Sequence, residues 1–77
     1  MTFGELLVRK IRHRGYTKTW VCQQLGITRW ALYLWISGAV IPTVPNLARL
    51  EQILSCPGEL YRALADGLLA PAYKEGV

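Results

Sequence analysis

Glycine and threonine punctuate the first half of this chain at intervals of about one short helix. Gly15, Gly26 and Gly38 each follow a run of apolar residues at helical spacing, and Thr2, Thr17, Thr28 and Thr43 each stand just ahead of one. Glycine reaches the left-handed conformation that stops a helix, and a threonine hydroxyl accepts a hydrogen bond from a free amide of a first helical turn. No stretch alternates apolar and polar residues for long enough to make a sheet. With 52% hydrophobic residues in 77, the chain can build one core, near the lower size limit for folding without metals or disulfides. The expected class is all-α: a compact bundle of about five short helices forming a single domain over residues 1–77.

Thr2 with Glu5 reads as a capping box, so the first helix is expected from about Phe3 to His13 or Arg14, stopped by Gly15, with Phe3, Leu7 and Ile11 inward. Thr17 opens a second helix burying Val21, Cys22 and Leu25, with Trp20 at the margin, and Gly26 breaks it. Thr28 opens a third that runs to Ser37 and stops on Gly38. After a loop to Pro42, Thr43 is expected to cap a fourth helix that tolerates Pro45 in its first turn and presents Val44, Leu47, Leu50 and Leu54 as one apolar face. Pro57 is expected to open a fifth, carrying Leu60, Leu64 and Leu68 and ending at Ala70-Pro71.

Several function classes find little support. Cys22 and Cys56 are 34 positions apart with no CxxC spacing, and His13 alone cannot complete a zinc set with them. No metal or cofactor is expected, and Cys22 reads as a small buried filler. Cys56, before Pro57, also reads as structural, although a thiol exposed there could cross-link. His13 lies between Arg12 and Arg14 with no carboxylate or nucleophile nearby, so acid–base and covalent catalysis lack their parts and no enzyme is expected. No apolar run approaches the roughly 20 residues of a membrane span, and the N-terminus lacks the order of a signal peptide. The expectation is a soluble cytoplasmic protein.

Charge is unevenly placed. Residues 1–35 hold Arg9, Lys10, Arg12, Arg14, Lys18 and Arg29 against Glu5 alone, six cations to one acid and a balance of +5; residues 36–77 hold three cations and four acids, a balance of −1. A basic half favours an anionic partner, nucleic acid first. Arg12 and Arg14 also suit a helix C-terminus for dipole reasons alone, and Arg9, Arg12 and Arg14 are expected to be solvated charges unless that helix end faces a duplex.

The second helix ends at Leu25, turns on Gly26, places Ile27 inward and restarts at Thr28, the sequence form of a helix-turn-helix over residues 17–38. The stretch GYTKTWVCQQLGITRWALYLWISGAVIPTVPNLARLEQIL, Gly15 to Leu54, resembles the Cro/C1-type (XRE-type) helix-turn-helix family. The shared positions include Thr17, small Cys22, Leu25-Gly26-Ile27, Thr28-Arg29, Leu32, Trp35, Gly38, Pro42 with Thr43, and Leu47. The resemblance covers about half the chain and implies a lambda-repressor-like, five-helix fold that binds double-stranded DNA with the third helix in the major groove, often as a homodimer. It implies that Lys18, standing where the family usually has glutamine, meets a phosphate. Thr28 and Arg29 would both lie at the DNA, with Arg29 reading a guanine edge. Lys10 stands near a position where the family tends to be apolar, with Ile11 immediately after it.

Trp35, with Leu32 and Ile36, falls on the inward side of the third helix, whereas Trp30, Tyr33 and Leu34 fall outward, where the family generally carries polar or basic residues. Apolar groups there can pack against a thymine methyl but cannot supply donor and acceptor pairs. Three readings therefore stand: an apolar contact in the DNA groove, a protein-binding surface on the same scaffold, or a face covered by the segment GLLAPAY. Leu68, Leu69 and Tyr73 are candidates for the protein interface together with Trp30, Tyr33 and Leu34. Leu64, Leu68 and Leu69 are candidates for a symmetric dimer contact, Leu64 equally for packing on the first helix.

Overall fold

The computed structural model describes residues 2–66. Four helices are α1 (Phe3–His13), α2 (Lys18–Leu25), α3 (Arg29–Ser37) and α4 (Val44–Leu54); a fifth helical segment, α5, covers residues 59–66. There is no strand among the described residues, and none of their helices is long and apolar enough to cross a membrane. The domain is an all-helical bundle. Leu68, Leu69, Tyr73 and the expected end of the fifth helix at Ala70-Pro71 lie outside the described residues.

The local signals act as the sequence implies. Thr2 Oγ1 accepts from the Glu5 amide and Glu5 Oε1 from the Thr2 amide, both at 3.1 Å, completing the capping box of α1. Those Thr2 hydrogen bonds, backbone first and then side chain, hold the Glu5 carboxyl below the usual carboxylate range. The core gathers Leu7 and Ile11 of α1, Val21, Cys22 and Leu25 of α2, Leu32 and Trp35 of α3, and Leu47, Leu50 and Leu54 of α4. Cys56 and Leu60 close it, and Phe3, Ile36 and Leu64 pack on its edge, partly buried.

Three expectations about the second half are corrected. Val44 does not join the α4 face: it is 71% exposed. At 100° per residue it lies roughly 60° from Leu47 on the side away from Leu50, so the stripe passes it by. Thr43 has the extended backbone of a cap but makes no side-chain cap hydrogen bond. Pro45, two residues on, lacks one of the amides that such a hydroxyl would reach. Finally, α5 begins at residue 59, because Gly58 takes a φ of +79° that no right-handed helix accommodates. Cys56 is buried, 1% exposed, so no thiol is presented for cross-linking. Burial pushes the Cys56 thiol up, with Glu59 adding to the effect and Lys10 opposing it.

Long-range polar contacts tie the helices together. Lys10 Nζ donates to Glu59 Oε1 at 2.8 Å, joining α1 to α5, which gives Lys10 a partner while Ile11 enters the core. Glu51 Oε2 accepts from the Tyr61 amide at 2.9 Å, so a carboxylate of α4 satisfies a free amide in the first turn of α5. Arg49 of α4 donates to the carbonyls of Gln24 at 2.8 Å and Leu25 at 3.5 Å, at the C-terminal end of α2. It satisfies acceptors that the helix itself leaves open. Arg49→Ala is expected to cost about 1 kcal/mol in urea unfolding with an unchanged m-value. An unchanged midpoint would show that water replaces the guanidinium at no cost.

One contact sets the spacing of α1 and α3. Gly4, within α1, is buried against the end of α3. A methyl group at Gly4 would overlap the carbonyl oxygen of Ile36 and sit 2.7 Å from its carbonyl carbon. Only a residue without a side chain lets α1 lie this close to the α3 backbone.

Candidate nucleic-acid interface

Everything at this site hangs on the three residues between α2 and α3. Thr17 Oγ1 accepts from the Trp20 amide at 3.0 Å, fixing the first turn of α2 and with it Lys18. Gly26 takes a φ of +69°, and the Ile27 amide donates to the Cys22 carbonyl at 3.0 Å, closing the helix end. Ile27 packs on the core. Thr28 Oγ1 accepts from the Ala31 amide at 3.1 Å, and its carbonyl lies 3.7 Å from the Cys22 sulfur, whose S–H points back to it. The Thr28 hydroxyl is thus engaged as a cap, and Arg29 is held as the first residue of α3. Burial pushes the Cys22 thiol up, against the opposing charge of Arg29.

This turn brings Lys18 and Arg29 to one open depression of about 590 Å³, lined also by Trp30, Leu32, Tyr33 and Ile36. Trp30 is 65% exposed and Tyr33 55%. Their rings stack, with centroids 5.3 Å apart and planes 23° from parallel. Leu32 is buried and Ile36 half-buried, so they form the floor. Two cations and no acid line the surface. It offers flat aromatic area with positive charge from two different helices.

Four of the candidate residues, Lys18, Arg29, Trp30 and Tyr33, are therefore together, and Thr28 supports them from the cap. Leu34 is not with them. It is half-buried rather than outward and does not line the depression. It lies about 100° round α3 from Tyr33. Its carbonyl accepts from Ser37 Oγ at 3.1 Å and from the Ala39 and Val40 amides at 3.0 and 3.2 Å, so this residue belongs to the exit from α3. Leu68, Leu69 and Tyr73, the other candidates for an interface, lie outside the described residues.

Reading the sequence alone misses a neighbouring feature. A second depression, of about 560 Å³, is lined by Gly4, Glu5, Val8, Arg9, Arg12, His13 and Ile36. Ile36 thus stands at the border of both depressions. Periodicity gives no sign of this, since it places Ile36 simply inward. Trp20, expected at the margin, is partly exposed and packs its ring 4.3 Å from that of Tyr16. Comparison of the chain with protein-family models, curated proteins and solved structures yields no match.

Proposed function

We propose that this protein is a small cytoplasmic regulator of helix-turn-helix type that binds duplex DNA through α3 in the major groove, as a homodimer. The observation that carries this reading is the convergence of Lys18 and Arg29 on one open surface beside exposed Trp30 and Tyr33. Lys18 neutralises a phosphate, and Arg29, at the start of α3, presents its two-pronged guanidinium to a guanine edge. The stacked Trp30 and Tyr33 supply apolar contact, against a thymine methyl for example. The sequence resemblance over Gly15 to Leu54 points the same way.

The roles separate experimentally. Arg29→Ala is expected to flatten the preference among duplex sequences, a loss of about 1–3 kcal/mol at its base step, while Lys18→Ala weakens all sequences alike and lowers the salt slope by about 1. Equal affinity of wild type and Arg29→Ala for each member of a randomised duplex pool would remove the base-reading role.

A second reading rests on the exposure of the Trp30–Tyr33 pair, because Trp and Tyr are the residues most enriched at protein-binding hot spots. In this reading the same face holds a protein partner. Trp30→Ala then abolishes capture of that partner without unfolding the domain, and DNA binding is absent from the wild type. The dimer is supported by the family resemblance rather than by a visible contact: Leu64, one of its candidates, packs partly buried on the core.

A further inference from the structure

We propose that α1 carries a second phosphate-binding strip, Arg9 and Arg12, so that a duplex is held across two adjoining depressions rather than by α2 and α3 alone. This inference rests on the DNA-binding reading above and extends it to residues expected from sequence to be merely solvated.

The geometry is as follows. The depression lined by Arg9 and Arg12 and the one lined by Lys18 and Arg29 share Ile36 as a common border. They are adjoining parts of one surface. Their spacing is fixed rather than loose, because Gly4 lets α1 lie directly against the Ile36 carbonyl. Arg9 and Arg12, one turn apart on α1, are both exposed. Among the described residues the one ion pair within 4 Å is Lys10–Glu59, so neither arginine is engaged by a carboxylate of those residues. Glu5 is the single acid in either lining; it carries the capping interaction with Thr2 and offsets part of the charge of Arg9. Four lysine and arginine side chains against one acid surround the two depressions, and the complementary partner is a closely spaced row of negative charges. A DNA backbone has that form, with a charge about every 1.7 Å along the duplex axis. Arg14 lines neither depression and takes no part.

Each phosphate neutralised adds about 0.9 to the steepness with which log K falls with log salt. The test is fluorescence anisotropy of a labelled mixed-sequence duplex titrated with the 77-residue protein over a salt series. It compares wild type, Arg9→Gln/Arg12→Gln, and Arg14→Gln/Arg62→Gln as a variant of equal net charge altered outside both depressions. Circular dichroism melts establish that all three are folded. The expected result is a slope reduced by about 1.8 per bound protomer in the first variant and unchanged in the second. Between about 50 and 200 mM salt the wild type then loses about tenfold more affinity per bound protomer than the first variant does. If wild type binds and the two variants behave alike, the strip does not exist and only net charge matters. If folded wild type binds no duplex even at low salt, the DNA reading falls and the strip with it.

Discussion

Gly4→Ala is expected to destabilise the protein by about 2–3 kcal/mol, the reverse of what the same change does on an open helix. Alanine is favoured over glycine in a helix interior by about 1 kcal/mol, so the local effect alone would be a gain. Here the added carbon meets the Ile36 carbonyl, which is backbone and cannot rotate away. The α1 helix has to retreat from α3, opening the packing of Leu7 and Ile11 against Leu32 and Trp35. Because the overlap is with backbone, the cost lies at or above the top of the usual overpacking range of about 1–3 kcal/mol, which leaves about 2–3 kcal/mol after the helix gain. A domain of this size has roughly 4–11 kcal/mol in total, and each kcal/mol moves Tm by about 4–8 °C. The drop should therefore be about 10–20 °C in a far-ultraviolet circular dichroism melt. An unchanged or raised Tm would mean that α1 and α3 do not approach at Gly4, and would also remove the fixed spacing between the two depressions.

Two tryptophans five positions apart on α3 should respond in opposite ways. Trp35 is 5% exposed and belongs to the core, so Trp35→Ala is expected to cost about 3–5 kcal/mol, a large share of the domain's total stability. Trp30 is largely exposed and loses chiefly its ring contact with Tyr33, for about 1 kcal/mol or less. Urea unfolding of both variants reads the difference directly. Comparable losses would make Trp30 part of the core, and its face would then be free for neither DNA nor protein. A folded Trp30→Ala protein is also the reagent needed to separate the two readings of that face.

What could be read from the sequence was whatever depends on neighbours in the chain. Thr2 with Glu5, Thr17, Gly26, Thr28 and Gly38 act within a turn of themselves, and they place the ends of α1, α2 and α3 where the structure has them. The apolar stripes were legible for the same reason, except at Val44, whose position near a helix start lies to one side of its own stripe, and at Leu34, which is half-buried rather than outward. Thr43 misled because Pro45 removes an amide, a local effect that outweighs the usual preference. Contacts between distant residues left no such trace. Nothing about glycine at position 4 announces a neighbour on α3, and nothing about Arg49 announces the carbonyls of Gln24 and Leu25. Of the candidate site, Lys18 and Arg29 could be paired because each opens a helix, and the two helices are joined by one short turn. Arg9 and Arg12 could not, because α1 meets α3 through contacts between residues far apart in the chain, Gly4 with Ile36 among them.

The most direct test of duplex binding is a single titration: labelled mixed-sequence duplex DNA with the 77-residue wild-type protein, followed by fluorescence anisotropy from low to moderate salt. The expected result is saturable binding whose log K falls linearly with log salt at a slope near −2.7 per bound protomer, corresponding to phosphate contacts by Lys18, Arg9 and Arg12 of each. A folded protein that leaves the anisotropy unchanged at the lowest salt would contradict DNA binding and turn the Trp30–Tyr33 surface over to a protein partner.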